Sequence, residues 1–212
     1  SIYQNIFKLL PGHLLKVSIN KPEPTINPYW SFIDCARSNY ILEGLRSEKD
    51  VVDELENLLR SVIKQQMIAD VPVGAFLSGG VDSSTIVALM QEQSNVPINT
   101  FTVGFDQKQF NEALKAREVA KYLGTDHHEL YLSDNDLLDV IPKLPEIYSE
   151  PFGDSSQIPT YLVSKMSKKY VKVVLSGDGA DELFGGYNRY FYADKIRTIK
   201  KLIPKFLLTN IS

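Results

Sequence analysis

The sequence predicts an α/β fold: a doubly wound parallel sheet with helices on both faces, preceded by a short β remnant. Two observations carry this. Short apolar or β-branched runs alternate with amphipathic stretches of helical length, which implies right-handed crossovers between parallel strands. Two glycine-bearing loops also follow such runs directly, where strand-end loops turn into helices. The chain of 212 residues suits one α/β domain plus a remnant, and 43% hydrophobic with 23% charged residues excludes a disordered or fibrous protein. Lys+Arg 23 against Asp+Glu 26 leaves a net charge of −3, with no general attraction for nucleic acid or acidic membranes. No apolar run approaches the ~18 residues of a membrane span, and no signal peptide opens the chain, so a cytoplasmic location is expected. A lone Cys35 excludes an internal disulfide.

Residues 2–8 and 14–19 read as two short strands around the turn Leu10-Pro11-Gly12-His13. Residues 21–27 carry Pro22 and Pro24 without apolar periodicity and read as an extended linker; the weakly patterned stretch to Arg46 is left unassigned. Ser47-Glu48-Lys49-Asp50 is a helix start, and Val51, Val52, Leu55, Leu58, Leu59, Val62 and Ile63 follow at helical spacing. Beyond it the expected strands are 71–77, 98–104, 128–132 and 171–175. Helices are expected over 82–93, 111–123 and 158–169, with some helix within 134–148.

The first loop is Ser78-Gly79-Gly80-Val81-Asp82-Ser83-Ser84. Its glycines let the backbone approach an anion, and its hydroxyls and helix-start amides can donate to phosphate oxygens. Gly74 and Gly79 have Walker A spacing, but Gly80 stands where that motif needs lysine. A metal must then neutralise the phosphate charge, and Asp82 is the obvious ligand for Mg²⁺. The second loop runs from Ser176 to Tyr187 and holds Asp178, Asp181 and Glu182, acids that repel one another unless a cation joins them. Taken singly, each loop could be no more than a tight strand-to-helix turn with solvated carboxylates.

The first loop resembles the SGGxDS signature of the ATP pyrophosphatases, or PP-loop enzymes. The stretch LSGDGADELFGGYNRY at 175–190 resembles the second signature of the glutamine-hydrolysing asparagine synthetases. FTVGFDQKQFNEALKAREVAKYLGTDHHEL at 101–130 and EPFGDSSQIPTY at 150–161 resemble the same family's synthetase domain, in order. IFKLLPGHLLKV at 6–17 is similar to the last strands of its glutaminase domain. The resemblance implies a remnant over 1–20, a linker and lead-in over 21–46, and an incomplete synthetase domain of the adenine nucleotide alpha hydrolase-like fold over 47–212.

The resemblance further implies an ATP-dependent amide-forming ligase. The aspartate side-chain carboxylate attacks the α phosphorus of ATP, pyrophosphate leaves, and ammonia derived from glutamine opens the resulting AMP anhydride to asparagine. Asp82 and Asp181 match the family's Mg²⁺ ligands, and Ser78, Gly79, Gly80, Ser83 and Ser84 match its pyrophosphate cradle. Phe76, Leu77 and Val103 match the base and ribose wall, and Ser176 and Gly177 the second nucleotide-contacting turn. Asp178 stands where many members have glutamate; with Glu182 it is a candidate second-loop or substrate carboxylate. The lysine that supports adenylation in the family lies outside this sequence, so the chain alone is expected to be inactive or nearly so, making no asparagine even with ammonia supplied. A homodimer is compatible with this reading, and a related amidotransferase acting on another carboxylate, such as a sugar acid, or a chain that only binds nucleotide, remains its alternative.

Other residues take plainer roles. His127 and His128 are consecutive on a strand and so point to opposite faces, which suits packing or hydrogen bonding better than a shared metal. Cys35 reads as an ordinary thiol, unrelated to the family's N-terminal nucleophile. The basic amphipathic stretch 194–205 is expected to pack on further structure.

Overall fold

The computed structural model describes residues 1–39, 47–105, 111–151, 153–190 and 192–193. The expected amphipathic stretch at 194–205 lies outside them. The chain divides into two compact units, one of Ser1–Ser61 with Asp139–Asp154 and one of Val62–Leu138 with Ser155–Ser212.

The first unit contains an antiparallel hairpin of β1 (His13–Ser18) and β2 (Lys21–Pro28), followed by helix α1 (Phe32–Asn39). Two sequence expectations are corrected here. Residues 21–27 are strand, not linker: Leu14, Leu15 and Lys16 pair with Asn27, Ile26 and Thr25, and Pro22 and Pro24 fall at the irregularity where the register shifts. Prolines are tolerated at such a position because no ladder bond needs their missing N–H. Residues 2–8 are not strand. Their polar groups turn to residues 149–150 instead: the Ile2 amide donates to Glu150 (3.1 Å), the Tyr3 hydroxyl to the Ser149 carbonyl (2.5 Å), and Lys8 pairs with Glu150.

Helix α2 (Glu48–Gln66) starts as its sequence indicates. The Asp50 amide donates to Ser47 Oγ (3.2 Å) while the Ser47 amide and hydroxyl donate back to Asp50 Oδ2 (3.3 and 2.7 Å).

The second unit holds a parallel sheet of β3 (Val73–Phe76), β4 (Asn99–Phe105), β5 (Asp126–Leu132) and β6 (Val173–Leu175), in the order β5-β4-β3-β6. The connecting helices of this unit are α3 (Val81–Glu92) after β3, α4 (Ala113–Leu123) after β4, and α5 (Asp134–Leu138) and α7 (Gln157–Ser167) between β5 and β6, while α6 (Leu144–Tyr148) falls in the first unit. Strand alternation sends Phe101 to one face of β4, where it is fully buried with Val163 and Met166 of α7 and with Val171. Gly104 faces the other way, and a Cβ there would lie 3.1 Å from Ala113 of α4. Helices thus cover both faces, and the fold is α/β and doubly wound. The chain advances β3, β4, β5 to one side and returns to place β6 on the other. The topological switch point, the usual ligand crevice of such sheets, therefore lies at the carboxyl ends of β3 and β6. Among the described residues no helix is long and apolar enough to cross a membrane.

Candidate functional site

Both glycine loops leave the sheet at that switch point. The register Ala75↔Leu175 puts their starting strand ends side by side. Leu77 is fully buried and its amide donates to the Phe101 carbonyl (2.9 Å), so its side chain packs the interior. Phe76, the last residue of β3, and Val103, within β4, are partly buried against the Phe101 cluster.

The first loop is braced by its own serines. Ser83 Oγ accepts the Ser78 amide (3.1 Å), the two hydroxyls share a hydrogen bond (2.9 Å), and the Gly80 amide donates to Ser78 Oγ (3.2 Å). Ser83 is buried, so it holds the loop from beneath. Ser84 continues α3; its amide donates to the Gly80 carbonyl (3.1 Å), and its Oγ is buried without a hydrogen-bond partner among the described residues. The N-cap of α3 is Gly80, with no side-chain cap, so first-turn amides of the helix remain for another acceptor.

The two glycines of this loop differ. Gly79 has φ +77°, and a Cβ there would stand 2.7 Å from both the Ala116 amide nitrogen and Lys115 Cβ: the loop is seated on the first turn of α4. Gly80 has φ −74°, and a Cβ would meet only Ser78 Oγ, at 3.2 Å. The space over Gly80 is open to an anion, whereas Gly79 serves packing.

The second loop is pressed against the first. A Cβ on Gly177 would lie 2.9 Å from the Ser83 amide nitrogen and 3.1 Å from Asp82 Cβ. Ser176 Oγ donates to Asp178 Oδ2 (3.0 Å) and accepts the Asp178 amide (3.4 Å), tying that carboxylate to its own turn. Helix α8 (Ala180–Phe184) lies between Gly179 and Gly185, both with positive φ, and carries Asp181 and Glu182 in its first turn. The Asp181 carboxylate occupies the space where Gly186 lacks a side chain. Glu182 accepts the Tyr187 hydroxyl (2.6 Å). This bond holds the Glu182 carboxyl below its usual range and pushes the Tyr187 phenol up to about 12. The Arg189 guanidinium stacks 4.4 Å from the Tyr187 ring centroid and 5.3 Å from that of Tyr190.

The structure thus brings Asp82, Ser83, Ser176, Gly177 and Asp178 together, with Asp181 and Glu182 on the helix that follows. Phe76, Leu77 and Val103 sit beneath, as parts of the sheet. Among the described residues no three His, Cys, Asp or Glu side chains converge to cage a metal. Asp82 and Asp181, one on each loop, are hard oxygen donors of the kind Mg²⁺ takes one or two at a time, with phosphate oxygens completing its shell. Sequence reasoning missed Tyr187 and Arg189 as partners within the second loop, although both follow its Gly185-Gly186 pair. It also missed the neighbourhood of Lys115, which only the packing of α4 reveals.

His127 and His128 do lie on opposite faces. His128 stacks on both Phe101 and Tyr170, at 5.3 and 3.9 Å, and its Nε2 bonds Asn99 Oδ1 (3.0 Å). His127 Nδ1 bonds Thr100 Oγ1 (2.9 Å), and burial lowers its pKa. Neither belongs to the two loops.

The profile of the family described as asparagine synthase matches residues 54–211. A Methanocaldococcus jannaschii protein provisionally named as a glutamine-hydrolysing asparagine synthetase is 42% identical over 208 residues, covering 98% of this chain and 39% of that protein. Asparagine synthetase 1 of Bacillus subtilis is 42% identical over 183 residues, covering 83% of this chain and 28% of its own length. The chain therefore spans less than two fifths of either relative. The structure of NMN synthetase from Francisella tularensis aligns with a TM-score of 0.42 at 21% identity, over 67% of this chain and 59% of that one. With the profile spanning most of its length, and both loops of the switch point inside the matched residues, the chain belongs to the asparagine synthase family.

Proposed function

We propose that this chain carries the nucleotide-binding, carboxylate-activating part of an ATP-dependent amide-forming ligase. Its acceptor would be the aspartate side chain and its nucleophile ammonia derived from glutamine, in the cytoplasm. The observation that supports this is the seating of Gly177 against Asp82 and Ser83, which joins an open glycine loop to a run of carboxylates at the switch point.

In this reading Ser78, Gly80, Ser83 and Ser84 with the α3 amides cradle the phosphate chain, Gly79 sets the loop on α4, and Ser176 and Gly177 close the cradle from the other side. Phe76, Leu77 and Val103 back the base and ribose. Asp82 and Asp181 would hold Mg²⁺, which neutralises the pyrophosphate leaving group. A carboxylate is a poor electrophile until one of its oxygens becomes a good leaving group, and AMP supplies that. The hairpin of the first unit would be the remnant of a glutaminase-type domain.

A second reading, an amidotransferase acting on another carboxylate such as a sugar acid, draws on Asp178. It is one methylene shorter than the glutamate of many members, and its oxygen is engaged by Ser176.

Two measurements test these readings. Calorimetric titration with ATP and Mg²⁺ reads the nucleotide site. Incubation with ATP, Mg²⁺, ammonium and ¹⁸O-labelled aspartate reads the chemistry, because the proposed attack carries one carboxylate oxygen into AMP; slow turnover requires long incubation and mass spectrometry. Labelled AMP is the expected result. AMP formed only with a different carboxylate favours the second reading, and binding without AMP reduces the function to nucleotide binding.

A further inference from the structure

The two loops that meet at the switch point contain no lysine or arginine between Ser78 and Ser84 or between Ser176 and Gly186, yet they supply Asp82, Asp178, Asp181 and Glu182. A bound triphosphate adds further negative charge. One divalent ion does not balance such a set, and like charges gathered in one crevice repel unless a cation joins them.

The nearby cations are mostly committed. Arg117 donates to both oxygens of Glu129 (2.7 and 2.6 Å) and to the Tyr131 hydroxyl (3.0 Å). Arg189 lies over the rings of Tyr187 and Tyr190. Lys115 differs. Its Cβ lies 2.7 Å from the point where Gly79 would carry a side chain, so its stem leaves α4 directly against the glycine loop. It is exposed, and among the described residues it pairs with no carboxylate. A lysine stem extends its ammonium about 5 Å beyond Cβ on four rotatable bonds, a reach that would let it approach a phosphate held on the loop.

We infer that Lys115 is a phosphate-binding cation of this site, supplied from α4 to the loop where Gly80 replaces a loop lysine. The inference rests on the reading of the loop as a phosphate cradle. It adds a residue that the loop signatures do not contain, and it explains why Gly79 must lack a side chain. Without a Cβ at 79, the first turn of α4 can approach closely enough for Lys115 to serve the loop. The ligand class is a di- or triphosphate chain as its magnesium complex, with pyrophosphate the minimal probe.

The test titrates the 212-residue chain with Mg²⁺–pyrophosphate, and separately maps lysine acetylation by mass spectrometry with and without that probe. Lys115→Ala should weaken pyrophosphate binding about tenfold or more, as expected for a lost charge-assisted hydrogen bond, while Lys115→Arg keeps most of it and Lys121→Ala changes nothing. Pyrophosphate should slow acetylation of Lys115 and leave Lys121 unaffected. Binding by Lys115→Ala within twofold of the parent, or acetylation of Lys115 unaltered by the probe, overturns the inference and leaves the cradle intact. Failure of the parent chain itself to bind pyrophosphate and ATP overturns the cradle, and the inference with it.

Discussion

Gly79 and Gly80 are neighbours with separate duties, and substitution should divide them. Alanine at 79 meets both a positive φ and the Ala116 backbone, so Gly79→Ala should cost about 1–3 kcal/mol of stability. At 80 the backbone is extended and only the Ser78 hydroxyl is near. Gly80→Ala should therefore fold within about 0.5 kcal/mol of the parent while losing most of its Mg²⁺–ATP affinity. Urea unfolding beside calorimetry separates the two, and a Gly80→Ala variant less stable than Gly79→Ala would refute this division. The sequence makes the pair legible as an anion loop, because glycine and serine chemistry is local. It does not reveal which glycine is packed and which is open, because the neighbour of Gly79 is a helix more than thirty residues later.

At the same scale, His127 makes stability depend on pH. Its side chain is 9% exposed and its Nε2 is buried without a hydrogen-bond partner among the described residues, so burial, outweighing the Glu129 carboxylate 3.7 Å away, keeps the folded pKa below the ordinary 6.5. The unfolded chain then binds the extra proton first. Stability is complete above pH 6.5 and falls as the pH drops from 6.5 toward the folded value, with a slope of at most about 1.4 kcal/mol per pH unit. His127→Gln should flatten that difference in urea melts between pH 5 and 7.5. Identical pH profiles for variant and parent would show that His127 is not the source. Strand periodicity alone assigns the two histidines to opposite faces; that Thr100 and Glu129 surround His127 depends on the β4–β5 register.

Element boundaries were readable where a side chain writes them. Ser47 and Asp50 exchange hydrogen bonds at the start of α2, and Ser133 and Asp136 repeat the same pattern before α5. Ser47→Ala should cost about 1 kcal/mol, measured as a shift in urea midpoint, since it leaves first-turn amides of α2 uncapped. An unchanged midpoint would mean that water replaces the cap without loss. Pro22 and Pro24 hide the second strand of the hairpin from a sequence pattern for a related reason. Pro22 and Pro24 argue against a strand in a sheet interior, but a two-stranded ribbon has free edges, and here the prolines coincide with the register shift. Residues 2–8 mislead in the opposite way: their apolar alternation suits a strand, yet no ladder partner exists for them among the described residues, and Glu150 and the Ser149 carbonyl take up their polar groups instead.

At the scale of the molecule, strand order sets which loops meet. Asp82 and Asp181 are almost a hundred residues apart in the chain, and the return of β6 to the free edge of β3 is what brings their loops together. Parallel crossovers predict such a sheet from sequence, but the order β5-β4-β3-β6, and hence the meeting of these two loops, emerges only from the pairing. The consequence is measurable as linkage between ligand and fold. A ligand that binds only the folded chain raises the unfolding free energy by about 2.7 kcal/mol at a hundredfold excess over its Kd. Mg²⁺–pyrophosphate should do so for the parent. Asp82 is exposed and Asp181 half-buried, so Asp82→Asn and Asp181→Asn should preserve the unliganded stability to within about 0.5 kcal/mol. Each should nevertheless abolish the ligand-induced increase, because a phosphate chain and its magnesium ion then lose a carboxylate from one loop or the other. If one variant keeps the full increase, its residue is not a ligand and the metal rests on the opposite loop alone. If both keep it, the switch point binds phosphate without a protein-held magnesium ion.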